Sequence, residues 1–96
     1  MNARLPKHPT HPGEMLLKEF LKPLGMTQVA FARHVGVSFK RINELVNGRR
    51  AVTPETAFLL AGALGTTPQF WMNLQTTYDL VHHPARHKVK PLRIAV

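Results

Sequence analysis

The feature that most constrains this chain is its punctuation. About every twelve residues an apolar pattern is broken by glycine, at Gly25, Gly36, Gly48 and Gly65, and a helix-starting residue follows each break. Thr27 and Ser38 are good N-caps, and Thr53-Pro54 and Thr67-Pro68 place a cap and then a proline at the first helical position. Between the breaks the apolar spacing is helical. Leu17, Phe20, Leu21 and Leu24 form one stripe, Ala57, Leu60, Ala61 and Leu64 a second, and Trp71, Leu74, Tyr78 and Val81 a third. Pro23 disfavours helix at Lys22, so the first helix is expected to stop there, with Gly25 confirming the stop. The pattern predicts an all-α protein of five short helices.

A chain of 96 residues, 44% of them hydrophobic, holds a single core. Its expected organisation is an irregular lead over 1–12, a helical domain over 13–83 and a basic tail over 84–96. Arg86, Lys88, Lys90 and Arg93 give the tail its charge. There Leu92, Ile94 and Val96 alternate as in a strand, which Pro91 would hold to a sheet edge; disorder is the other reading. Lys and Arg number 13 against 5 Asp and Glu, a net charge of +8 that suits polyanions, nucleic acid first and an anionic membrane surface second. The absence of cysteine excludes disulfide scaffolds, thiol nucleophiles and Cys-ligated zinc. The N-terminus has no apolar core of a secretory signal, and no apolar run approaches the roughly 20 residues of a membrane helix, so a cytoplasmic protein is expected.

Residues 28–47, QVAFARHVGVSFKRINELVN, narrow the class further. Two helices, Gln28 to Val35 and Ser38 to about Asn47, are joined by a turn containing Gly36, the layout of a helix-turn-helix. Phe31, Val35, Val37, Ile42 and Leu45 fall where two crossing helices face a core, and Ala32 where they approach most closely. Opposite Ile42 and Leu45, the outer arc of the second helix holds Lys40, Asn43, Glu44 and Asn47, with Ser38, Phe39 and Arg41 at its N-terminal end. These residue types read base edges or hold phosphates, and a merely solvated face shows Glu–Lys pairs more often. Phe39 belongs either to the core or against a thymine methyl. Gln28, Asn47, Arg49 and Arg50 sit at the edges of the helix pair, where phosphate contacts need donors.

Other chemistries find little support. The acidic residues are scattered, with no carboxylate pair placed for acid–base work, so no enzyme is expected. His83 and His87 have metal-ligand spacing, but Pro84 interrupts the helix and no carboxylate is near; neither a metal nor another cofactor is expected. The first helix offsets Lys18 and Lys22 with Glu14 and Glu19, unlike a membrane-surface helix. RNA binding lacks an exposed aromatic sheet.

The strings His11-Pro-Gly-Glu-Met15, Arg41-Ile-Asn-Glu-Leu-Val-Asn-Gly48, Thr67-Pro-Gln-Phe-Trp-Met-Asn-Leu-Gln75 and Tyr78-Asp-Leu80 resemble the HigA antitoxins, phage-repressor-like (XRE) helix-turn-helix proteins also labelled virulence-associated protein I. The resemblance runs from about residue 8 to 81. It implies a five-helix, lambda-repressor-like domain that works as a homodimer, binds a palindromic double-stranded operator and neutralises a HigB-type toxin, a ribosome-dependent mRNA endonuclease. It also implies that Phe39, Lys40 and Glu44 face bases, while Gln28, Arg41, Asn43, Asn47 and Arg49 are phosphate or supporting contacts. Trp71, Leu74 and Tyr78 on the last helix are expected in the core or at the dimer interface. A stand-alone XRE repressor without a toxin is the alternative.

Overall fold

The structure, a computed structural model, describes residues 5–83 and 85–93. Pro84, Ile94 and Val96, on which part of the tail reading rested, lie outside them. Among the described residues the regular elements are five helices: α1 over 12–24, α2 Gln28–Val35, α3 Phe39–Val46, α4 Pro54–Leu64 and α5 Pro68–His82. Residues 85–93 form neither helix nor strand and are exposed.

Four of the five starts follow from one local bond. The side-chain oxygens of Thr27, Ser38, Thr53 and Thr67 accept from the backbone N–H three residues on, at 3.0, 3.1, 3.3 and 3.2 Å. Each satisfies a donor that the first turn of a helix leaves free. α2 stops at Gly36, whose φ of 79° lies in the left-handed region that a side chain would strain. There the N–H groups of Gly36 and Val37 both return to the Ala32 carbonyl, at 2.9 and 3.0 Å, and the chain turns into α3.

α1 departs from expectation in two ways. It begins at Pro12, capped by His11, whose Nδ1 accepts from the Gly13 N–H at 2.9 Å. It also runs through Pro23 to Leu24 instead of stopping at Lys22. A proline in a regular helix collides with the carbonyl four residues back. Here Leu16–Leu21 form a wider π turn immediately before it, and the Lys22 N–H reaches five residues back to Leu17. The widening also shifts the buried stripe. Leu16 and Leu21, five residues apart, are both fully buried, while Leu24, expected inside, is 63% exposed.

The core gathers one to three residues from every helix: Leu16 and Leu21, Phe31 and Ala32, Ile42 and Leu45, Ala57, Leu60 and Ala61, and Trp71, with Val52 added from the loop before α4. Each fully buried aliphatic side chain contributes about 1.5–3 kcal/mol. Trp71 is completely buried within the single chain, so of its two expected places, core or dimer interface, the indole takes the core. Its Nε1 donates to Thr66 Oγ1 at 2.7 Å, the partner that a buried indole needs. Thr66 and Thr67 thus divide two tasks, one holding the indole and the other capping α5.

Candidate nucleic-acid interface

α2 and α3 pack through Phe31, Ala32, Ile42 and Leu45, all at most 2% exposed, and this fixes which side of α3 faces outward. Val35 and Val37 complete the contact half-buried. On the outer side Ser38, Phe39, Lys40 and Asn47 are exposed, and Asn43 and Glu44 half-buried. Phe39 is 48% exposed at the first turn of α3, so of its two readings the core one is excluded. Ser38 spends its hydroxyl on capping the Arg41 N–H and leaves Phe39 and Lys40 as the protruding side chains.

The polar side chains along this arc and at its edge are tied to one another. Gln28 Oε1 at the start of α2 accepts from Asn43 Nδ2 at 3.1 Å, and Asn47 Nδ2 donates to Asn43 Oδ1 at 3.2 Å and to the Asn43 carbonyl at 2.9 Å. The amides therefore form a ladder across the helix pair. The Gln28 Nε2 has no partner among the described residues and is a donor at the positive end of α2. A buried or half-buried amide network of this kind rigidifies the face that carries it.

Arg41 turns away from the outer arc. Its Nη2 donates to Glu55 Oε1 and to the buried Thr56 Oγ1, both at 2.9 Å, so it clamps α3 to the start of α4. Glu44 is held differently. Arg50, in the loop after α3, donates to its Oε1 from Nη2 at 2.8 Å and from Nε at 3.2 Å. That hydrogen bond, with the positive charges of Arg50, Lys40 and Arg49, holds the Glu44 carboxyl below the ordinary carboxylate range. Glu44 is therefore an anion fixed among cations, a half-buried acceptor in a basic surface. Arg49 is exposed, and its backbone N–H is bound to the Glu44 carbonyl at 2.8 Å. Among the described residues, Lys40 and Arg49 carry no ion pair.

On α5, Leu74 and Tyr78 are half-buried. Leu74 lines a shallow cleft with Pro6, Pro9 and Phe70, and Tyr78 packs against His11 edge-on and stacks on His82, with ring centroids 4.8 and 4.1 Å apart. One arrangement on this helix escaped the sequence reading. Gln75 is the buried polar residue of α5, and its partners Val52 and Asp79 lie in a loop and one turn along the helix. Asp79, itself exposed, is the acceptor for that amide.

An exposed, polar, cation-flanked helix held in the second position of a helix-turn-helix defines a class: the three-dimensional frame of a helix-turn-helix regulator. Comparison with known proteins agrees and goes further. The Helix-turn-helix family profile matches residues 17–71. Antitoxin HigA-1 of Vibrio cholerae is 40% identical over 95 residues, covering 94% of this chain and 90% of that protein. Virulence-associated protein I of Dichelobacter nodosus is 47% identical over 70 residues, which are 73% of this chain but only 65% of the relative's own length. The structure of antitoxin GraA in complex with its operator superposes with a TM-score of 0.83 at 35% identity, covering 97% of this chain and 100% of that one. The chain belongs to the HigA antitoxin family of helix-turn-helix proteins, a family of regulators and not of enzymes. Among the described residues no helix is long and apolar enough to cross a membrane.

Proposed function

We propose that this protein is the DNA-binding antitoxin of a HigB/HigA-type pair. It binds a palindromic operator in its own promoter as a homodimer, and it neutralises a HigB-type mRNA endonuclease in the cytoplasm. The observation that carries the reading is the outer face of α3, where Phe39, Lys40, Asn43, Glu44 and Asn47 project from a helix pair locked behind them, with Arg49 and Arg50 alongside. The operator-bound GraA structure supports the DNA half, because a relative with this backbone is found on its operator. Phe39, Lys40 and Glu44 contact bases. Gln28, Ser38, Asn47, Arg49 and Arg50 hold phosphates or the residues that do, and Arg41 and Asn43 support them from behind. Two copies set their α3 helices in successive major grooves about 34 Å apart. Leu74 and Tyr78 of α5 stand at the dimer contact.

The decisive experiment is fluorescence anisotropy of the purified protein on its own upstream promoter DNA and on a scrambled duplex, at two salt concentrations. A preference of about a thousandfold or more that survives the higher salt supports a sequence-specific repressor. Equal binding to both duplexes, lost together as salt rises, shows that the charge of +8 is only stickiness and refutes the DNA half. Co-expression with the product of an adjacent small basic reading frame tests the other half: growth rescued by this protein supports neutralisation, and continued arrest refutes it.

A further inference from the structure

The loop between α3 and α4 carries Arg49 and Arg50 and has few backbone attachments. One end is held by the Arg49 N–H on the Glu44 carbonyl at 2.8 Å. The other is held by the Val52 N–H, which donates to Gln75 Oε1 at 2.7 Å. Gln75 sits on the inward side of α5 at 5% exposure, a place where an amide is costly unless both its ends are bonded. Both are: its Nε2 donates to Asp79 Oδ1 at 2.8 Å, one turn further along α5. That second bond sets the direction of the first. With Nε2 given to a carboxylate, the amide oxygen is the end presented to Val52; a flipped amide would set N–H against N–H.

We infer that Gln75 is a positioning residue for operator binding, oriented by Asp79, and that it fixes from α5 the loop that carries the arginines. The inference rests on the DNA reading above and deepens it, because it makes α5 part of the machinery that sets phosphate contacts. Arg49 and Arg50 lie between the two anchors, and loss of the Val52 hydrogen bond leaves that end of the loop held only by the buried Val52 side chain and the start of α4, a looser tie on the backbone. A change on α5 is then felt at the DNA surface through two hydrogen bonds.

The test compares wild type, Gln75→Met and Asp79→Ala, with folding checked by circular dichroism. Gln75→Met keeps the bulk and removes both bonds, while Asp79→Ala touches an exposed residue and removes only the orienting one. Operator affinity is expected to fall about tenfold in Gln75→Met and about threefold in Asp79→Ala, and the slope of log K against log salt to shrink by about one in Gln75→Met, the loss expected of Arg49→Ala. Arg49→Ala added to Gln75→Met is expected to cost little more, since the two act through one contact. A folded Gln75→Met with wild-type affinity and slope, and only a lower melting temperature, overturns the inference. If Gln75→Met does not fold, Asp79→Ala decides by the same affinity measurement. If the wild type itself shows no preference for the operator, the DNA reading has failed separately. The exchange rate of the Val52 amide in the free proteins then decides: faster exchange by about tenfold in the variants supports the positioning, and unchanged exchange overturns it.

Discussion

Glu44 is the one acidic side chain on the outer arc of α3, and it has two demands upon it. Its carboxylate accepts two bonds from Arg50, and it stands among the side chains proposed to read bases. An acceptor in a basic surface is useful where a base offers a donor, such as the cytosine amino group, and it repels DNA everywhere else. Glu44→Ala is therefore expected to change preference at single base positions by about tenfold, while affinity for a scrambled duplex rises slightly. Competition binding against operators varied one base pair at a time measures this. Unchanged preference at every position would show that the reading face has been misplaced. The pairing with Arg50 also keeps Glu44 ionised well into acid, so the predicted preference is independent of pH above the ordinary carboxylate value of 4.5.

At the scale of elements, the joint between α1 and α3 matters most for the site. Gly13, fully enclosed at the start of α1, lies so close to the end of α3 that a Cβ built on it would overlap the Leu45 carbonyl oxygen and crowd Val46. Gly13→Ala must push α1 off the recognition helix. A destabilisation of about 1–3 kcal/mol is expected, read as a lower urea midpoint with an unchanged m-value. A midpoint equal to the wild type's would mean that the two helices are not in this contact. His11, which caps the same helix, makes the joint sensitive to pH. Burial lowers its pKa from 6.5, and the nearby His82 adds to that, while Asp79 and Glu14 act in the opposite direction. Its Nδ1 must also be unprotonated to accept from Gly13. The unfolded chain thus binds the proton more readily than the folded one. The stabilisation is complete above about pH 6.5, declines as pH falls through the lower folded value, and is then exhausted. His11→Asn keeps a capping oxygen without the titration, so its urea midpoint should vary less between about pH 7.5 and 5 than that of the wild type. An identical pH dependence would assign the effect to another group. These two residues also show what could be read in advance. Helices α2 to α5 were legible because each start is settled by a capping side chain three residues from the N–H it serves, and the stops of α2 and α4 by a glycine in the left-handed region. The outer arc of α3 was legible because helical phase follows from the apolar spacing. The need for glycine at position 13, the passage of α1 through Pro23, and the bonds from Arg41 to Glu55 and from Gln75 to Val52 depend on atoms brought near by packing. No local pattern announces them.

On the scale of the whole molecule, the core and the charge are separable. Among the described residues every fully buried side chain lies between His11 and Gln75, and residues 85–93 are exposed and bear no regular element. The segment after Pro84 nonetheless holds Arg86, Lys88, Lys90 and Arg93 and no acid, which is four of the 13 Lys and Arg residues. Packing therefore gives residues 85–93 no part in stability, while counterion release is expected to give the segment's charges a part in binding any duplex. Removing residues 85–96 is expected to leave the melting temperature within about 2 °C of the full chain, since a domain of this size moves several degrees per kcal/mol. Affinity for the scrambled duplex should fall, with a shallower salt slope, while the ratio of operator to scrambled binding changes less, because the α3 arc is intact. Melting curves and anisotropy titrations on one truncated protein measure both halves. A drop of about ten degrees would show that the tail packs on something the single chain does not contain, a second copy being the first candidate. An unchanged salt slope would show that its charges never reach the phosphates.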